Sequence, residues 1–478
     1  MPDHDIALRN ARVLTSDSDV IADIGIRDGR ISAVGQAHGK AGEEIDCAGM
    51  IVTPGGVDVH CHIEQMSGMG LMNADTFESA TRSAALGGTT SVISFAPQMP
   101  GQRLTDAMAA YQEAAVRGAA LDHAFHMIVS DFGAPDVADD LKRLIEAGHR
   151  SIKVFTTYNI QLSDRDICEV ISIAKEAGAL VCIHAENDGL IGWTKDRLIA
   201  AGKDDPRFHA ISHPRLAEIE AVNRMIRFAE FFATPLMLFH ISTREAVASI
   251  RAAKARGVSV WAETCPHYLF MDENVLNRDG VDGAKWMCSP PQRTGADQDA
   301  LWAGLADGTL SLVSSDHAPY RFDETGKLAH GAGAGFAKMA NGLPGLEPRM
   351  PLMFDAIVTR GLLEPSDFVR LTATEPARLY GLATKGDIAV DLDADLVIWD
   401  PERTVTYGAD DLSDNVGYNP WEGHRVTGWP IRVLSRGDTI ADHTGFCGSY
   451  GAGCWLDRKS PGVTTEAKPA PEYLEAIR

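Results

Sequence analysis

Short apolar runs alternate with amphipathic stretches through most of this chain, and the period of each run separates two regimes. Over the first fifty residues the runs IALRNARVL and ADIGIRDGRISAVG are short and β-prone. Asp28-Gly29 stands where a two-residue hairpin turn is needed, so an all-β start is predicted. Pro-Gly-Gly in MIVTPGGVDVHCH then punctuates the chain. From there to about residue 376 eight apolar runs recur, at 57–62, 90–96, 124–130, 151–155, 180–186, 236–240, 258–264 and 310–316. Helix-period stretches such as DTFESATRSAALGG, DVADDLKRLIEAG, DRDICEVISIAKEAG and TREAVASIRAAKARG lie between them, many closed by Gly. Eight such β-then-α units predict an α/β chain closed as a TIM-like (β/α)8 barrel. An open doubly wound sheet is the rival. It places a glycine-rich phosphate loop after its first strand, where this chain has two histidines.

After residue 377 β character returns in KGDIAVDLDADLVIWDP and PIRVLSRGDTIAD. The predicted organisation is a small β-sandwich built from both chain ends, residues 1–52 and 377–440, around a barrel of residues 53–376. A Gly- and Pro-rich stretch, 441–478, follows as a surface arm or oligomer contact.

Composition adds boundaries rather than detail. With 45% hydrophobic and 23% charged residues, the 478-residue chain can bury a large core. Its formal charge of −22 repels phosphate backbones and anionic lipids, so neither nucleic acid nor a membrane is an expected partner. The eight cysteines include no C-x-x-C pair and read as reduced thiols. MPDHDIALRNARVL lacks a basic stretch followed by an apolar one, and no window holds about 18 uninterrupted apolar residues. The cytoplasm is the expected compartment.

Candidate chemistry lies at the ends of the apolar runs. His60 and His62 close the first one, and residues in i, i+2 spacing on a strand point to the same face. Both imidazoles then reach one metal at the carboxyl end of the barrel, where barrel enzymes keep their sites. His184 ends VCIHAE, His240 ends LMLFH and Asp316 ends LVSSDHAP, while Lys153 sits inside SIKVF. Polar groups at such positions are costly unless partners compensate. Singly each reads as a satisfied structural residue; together they form a ring at one barrel mouth, the pattern of a metal centre. On the string alone, Lys153 also fits an ion pair or a Schiff-base lysine.

PGGVDVHCH, SIKVFTTY, CIHAEN, LFHIST and SSDHAP, in this order, resemble the metal-dependent amidohydrolase superfamily, and within it the dihydropyrimidinase and D-hydantoinase group. CSPPQR, NGLPGLE, EPARLYGL and DADLVIWDP extend the resemblance from about residue 5 to 440. It implies two zinc ions, with manganese as the alternative. His60, His62 and Asp316 would hold one ion, and His184 and His240 the other. Lys153 would bridge both as a carboxylated lysine, which is feasible because a desolvated amine loses its proton readily. The resemblance further implies hydrolysis of a cyclic amide bond, giving an N-carbamoyl amino acid by attack of a metal-activated hydroxide. Asp316 would relay the proton, Tyr158 would steady the oxyanion, and Ser289 and Asn341 would hold the small cyclic amide substrate, largely through backbone groups. A homodimer or homotetramer is implied as well.

Related activities are weighed by the same residues. Dihydroorotase follows H-x-H with an arginine for the substrate carboxylate, whereas here Ile63 and Glu64 follow. Allantoinase does not usually carry the tyrosine found here at Tyr158, and a mononuclear deaminase has no need of Lys153. Another cyclic imide remains an alternative substrate. A non-catalytic scaffold of the same fold typically loses metal ligands, and all six matched positions are intact here. In EQMSGMGLMNADTF, Met66, Met69, Leu71 and Met72 are expected to rim the pocket and favour a bulky apolar ring substituent. GAGAGFAK lacks the Lys-Ser/Thr of a P-loop and reads as a mobile rim loop. His267 and His317 read as supporting residues, and His126 as a hydrogen-bonded core histidine.

Overall fold

The computed structural model describes residues 2–463. Strands β1 (His4–Leu14), β2 (Asp19–Arg27), β3 (Arg30–Gly35), β4 (Ala41–Asp46) and β5 (Ile51–Pro54) precede the barrel. Asp28 and Gly29, at φ 51° and 75°, make the tight turn between β2 and β3. Both central residues at positive φ give a turn whose twist matches the flanking strands.

The eight barrel strands are β6 (Gly56–Cys61), β7 (Thr89–Pro97), β8 (Asp122–Ile128), β9 (Ser151–Phe155), β10 (Leu180–His184), β11 (Leu236–Leu238), β12 (Val260–Thr264) and β13 (Leu312–Val313). They are parallel neighbours in sequence order. A bridge between Cys61 and His317, with His62 N donating to His317 O at 2.7 Å, joins the first strand to the chain just beyond the last. Arg349 fills the same seam. Its buried guanidinium reaches the carbonyls of Val57 and Val313 and pairs with Asp58 at 3.2 Å. The predicted barrel is thus observed. Strand ends differ from expectation at β11 and β13, because His240 and Asp316 adopt φ of 40° and 46°. A strand does not continue through a left-handed residue, so both ladders stop short and the side chains swing toward the mouth.

Several helices cover the outer face through an apolar stripe. In Val137–Glu146, Val137, Leu141, Leu144 and Ile145 are buried while Lys142 and Arg143 are exposed. Ser163 caps the helix Asp164–Ala177 by accepting from Asp166 N, and Gly178 ends it at φ 76°. No helix among the described residues is long and apolar enough to cross a membrane.

The second sheet gathers both chain ends. Strands β14 (Leu396–Thr406), β15 (Arg425–Ser435), β16 (Asp438–Asp442) and β17 (Gly445–Phe446) pair in the order β17-β16-β15-β14-β5-β1-β2-β3, with β4 on β1. The chain passes to the barrel at Gly55, where an added Cβ would come within 2.2 Å of Thr90 Oγ1. Lys385 ties the units together, donating to Asp122 at the start of β8 and to Asp395, each at 2.7 Å.

The stretch after residue 446 departs from the expected surface arm. Trp455 and Leu456 run beside His123, and Arg458 is fully buried, donating to Ser151 Oγ and Phe125 O at 2.7 Å. Leu456 joins Leu379, Tyr380 and Leu382 beneath the barrel interior. A Gly-rich segment held by three anchors closes the barrel floor. The remainder of the expected arm lies outside the described residues.

Candidate active site

At the opposite, carboxyl end of the strands, His60 and His62 aim their Nε2 atoms at Asp316 Oδ1, at 3.0 and 3.6 Å. Their Nδ1 atoms are taken: Glu263 accepts from His60, and Gln65 Oε1 lies 2.7 Å from His62 Nδ1. An imidazole whose Nδ1–H is held by an oxygen presents its Nε2 lone pair outward, which is how metal-binding histidines are oriented. Ligand atoms of His60, His62 and Asp316 all lie within 4.8 Å of one another. Burial pushes His60 toward neutrality, but Asp316 and Glu263 outweigh it and raise its pKa to about 9. Burial likewise opposes ionisation of Asp316, yet His60 and His62 hold it well below the usual carboxylate range. Concentrated positive charge beside an anionic oxygen is what a divalent cation replaces.

Lys153 reaches the same space from β9. Its Nζ lies 4.1 Å from the ring centre of Phe239, 4.8 Å from Phe155 and 5.5 Å from Phe95. Burial lowers its pKa to about 8, against the pull of Asp316 and Glu263. His184 and His240 stand beside it with ring centres 4.4 Å apart, and His240 lies 5.4 Å from His60. Glu186 Oε2 holds His184 Nε2 at 2.9 Å. His240 Nδ1 is buried with no hydrogen-bond partner among the described residues. Such an orphan costs about 1–3 kcal/mol. The donor set of imidazoles, carboxylate and deprotonatable amine suits zinc.

Tyr158, Ser289 and Asn341 line the same cavity, with the Tyr158 ring centre 5.2 Å from that of His184. Asn341 Nδ2 donates to Ser289 Oγ at 3.0 Å, and the Tyr158 hydroxyl lies by both side chains. Burial pushes the Tyr158 phenol up, so it stays a proton donor. Tyr158 adopts φ 70°, and with His240 and Asp316 it makes three strained residues in one site. Each such conformation costs on the order of 1–3 kcal/mol and persists only where surrounding structure enforces it. Lys327 braces this wall, donating to Ala340 O at 2.9 Å and lying 3.4 Å from Met287 O.

The six candidate ligands and the three candidate substrate contacts line one cavity of about 160 Å³. Of the four apolar residues expected at its rim, Met69 lines it. Met66 instead pairs with Met72 across a short bridge, and neither they nor Leu71 line the cavity. Gln65, Glu186 and Glu263 went unread in the sequence. Glu263 carries the same signal as Lys153, a charge inside an apolar strand (VSVWAET), but its partner is 203 residues away. His126 donates to Val59 O at 2.8 Å, and His317 Nε2 meets Asp75 at 3.0 Å. Cys265 and His267 also fall near Asp316, but neither lines the cavity.

A strand-end ring of this kind on a (β/α)8 barrel defines a class that comparison with known proteins makes specific. Residues 51–440 match the model of the amidohydrolase family, and the chain belongs to that family. Membership implies a binuclear metal centre. A D-hydantoinase of Ralstonia pickettii is 38% identical over 458 residues, covering 95% of this chain and 99% of that protein. A D-hydantoinase structure superposes with a TM-score of 0.92 at 37% identity, covering 96% of this chain and 100% of the other. The crystal structure of dihydropyrimidinase from Brevibacillus agri gives 0.91 at 36% identity, over 97% and 99%. Within the family the chain stands with the D-hydantoinase and dihydropyrimidinase group.

Proposed function

We propose that this protein hydrolyses the cyclic amide bond of hydantoins or dihydropyrimidines, releasing N-carbamoyl amino acids. The observation that carries the reading is the convergence of His60, His62, Lys153, His184, His240 and Asp316 on a cavity that Tyr158, Ser289 and Asn341 also line. His60, His62 and Asp316 would hold one zinc ion and His184 and His240 the other, with Lys153, as a carbamate, serving as a ligand they share. The neutral amine of Lys153 would add to carbon dioxide with release of one proton, and burial, which lowers its pKa to about 8, enlarges the neutral fraction. When bound, the metals lower the pKa of water and polarise the substrate carbonyl.

The chain's own groups do the rest. Asp316 takes a proton from the attacking water and returns it to the ring nitrogen as the carbon–nitrogen bond breaks. The Tyr158 hydroxyl donates to the carbonyl oxygen as negative charge gathers there. Ser289 and Asn341 hold the ring amide. A neutral ring is favoured over an anionic one: no arginine lines the cavity among the described residues, Ile63 is buried in the core, and Glu64 pairs with Arg117. Cytoplasmic location and assembly as a homodimer or homotetramer complete the reading.

Chelation is expected to abolish ring opening, and zinc with bicarbonate to restore it at two ions per chain. Activity that survives complete loss of metal contradicts the reading. Met69 sets the second expectation. Met69→Ala removes an apolar wall at the cavity mouth and should lower the ratio of kcat/KM for a 5-aryl hydantoin over unsubstituted hydantoin by about 5-fold or more. An unchanged ratio removes Met69 from substrate selection.

A further inference from the structure

Lys327 is a fully buried amine that the proposed chemistry does not use. A tight turn at 321–328 carries it inward, with Lys327 N donating to Arg321 O at 2.8 Å and Leu328 N to Asp323 O at 2.9 Å. No carboxylate pairs with it among the described residues; its Nζ donates to Ala340 O at 2.9 Å and lies 3.4 Å from Met287 O. An amine taken out of water without a counter-charge is costly, and burial lowers its pKa to about 7. A methionine would fill the same space at less cost, so the donors themselves call for a reason. The two carbonyls belong to the two loops that carry the candidate ring contacts, for Cys288, Ser289, Ala340, Asn341 and Gly342 all line the cavity. Neighbouring main-chain acceptors there are occupied. Met287 O also accepts from Gly342 N at 2.8 Å, Cys288 O from His209 Nε2 at 2.7 Å, and Pro290 O from the Tyr268 hydroxyl at 2.7 Å. The main-chain N–H and carbonyl groups of Ser289 and Asn341, by contrast, have no hydrogen-bond partner among the described residues.

We infer that Lys327 is a positioning residue for ring binding: by tying Met287 to Ala340 it sets the spacing of the free main-chain groups of Ser289 and Asn341 that meet the cyclic amide. The inference rests on the proposed function, in which these two loops hold the ring, and on their doing so through backbone groups. A planar ring amide needs its partners at fixed positions, because hydrogen bonds weaken steeply when misaligned. The loops are also joined directly, by Gly342 N on Met287 O and by Asn341 Nδ2 on Ser289 Oγ at 3.0 Å. Losing the amine therefore loosens the pair rather than separating it. The loss falls on binding, not on proton transfer at Asp316.

The experiment measures KM, kcat, zinc content and melting temperature for the zinc-loaded parent, Lys327→Met and Lys327→Arg, with unsubstituted hydantoin and 5-phenylhydantoin. Methionine keeps the volume and removes the donors. Lys327→Met should raise KM about 3- to 10-fold, and by the same factor for both substrates because the ring is common to them. Its kcat should stay within about two-fold of the parent, with zinc content held. The guanidinium of Lys327→Arg supplies N–H donors again and should recover most of the loss. A lysine that only holds the fold predicts the opposite split, a lower melting temperature with KM unmoved, and that result overturns the inference. So do a rise in KM confined to 5-phenylhydantoin, a kcat that falls as far as KM rises, a loss of zinc, or an arginine variant no better than the methionine one. A parent enzyme that opens neither ring removes the proposed function and the inference with it, whereas ring opening with KM unmoved in Lys327→Met removes the inference alone. Should Lys327→Met not fold, Lys327→Gln, too short to span both carbonyls, reads the same split.

Discussion

Asp316→Asn is expected to lower kcat for ring opening on the order of 10⁴-fold while leaving the fold intact. Asp316 is asked to do two things. It faces the Nε2 atoms of both His60 and His62, and in the proposed function it carries the proton from water to the leaving nitrogen. Loss of a positioned acid–base group alone costs about 10²–10⁴-fold, and the amide is in addition a poorer ligand. The isosteric change keeps the left-handed turn at residue 316, because asparagine tolerates positive φ. The effect should therefore appear in kcat, with a melting temperature close to that of the parent. A loss of less than 10-fold would mean that another group moves the proton.

Lys153→Ala should cost on the order of 10³-fold or more in kcat/KM, and zinc content should fall below two per chain. Removing a partner that merely orients a metal ligand costs about 10–100-fold, so removing a ligand shared by both ions must cost more. Fold stability is not the route. The amine is buried against three rings, and burial rather than a partner dominates its pKa. Alanine leaves a cavity but relieves that desolvation. The space it leaves also gives a positive control, since a short carboxylic acid placed there supplies the two oxygens of a carbamate and should restore part of the activity. If Lys153→Ala keeps two zinc ions and full turnover, the bridging role is wrong.

Much of this site was legible in the sequence because it breaks the period that surrounds it. His60, His184, His240 and Asp316 each end an apolar run, and Lys153 interrupts one; a charged or ionisable side chain in such a place needs a partner. Physics alone took Lys153 no further than a buried amine with several possible roles, and the resemblance supplied the carbamate. Residues that orient the candidate ligands were harder to read. Glu263 orients His60 across 203 residues of sequence, and Glu186 holds His184 from just past the end of its strand. Met66 and Met72 misled because a run of methionines does not say which of them face each other. The shortened ladders at β11 and β13 come from left-handed residues that only the closed site enforces. The barrel floor was missed for the opposite reason: Trp455, Leu456 and Arg458 are three anchors in a stretch whose glycines and prolines otherwise read as unstructured surface.

Product analysis decides the substrate class most directly. Purified protein supplied with zinc and bicarbonate is offered dihydrouracil, 5-phenylhydantoin, allantoin, dihydroorotate and succinimide, and each ring-opened product is identified by mass and by its ureido group. The expected result is rapid conversion of the hydantoin or dihydrouracil to the N-carbamoyl amino acid, with dihydroorotate and allantoin slow or untouched. Turnover confined to the imide, allantoin or dihydroorotate, or no ring opening by protein that holds two zinc ions, would contradict it.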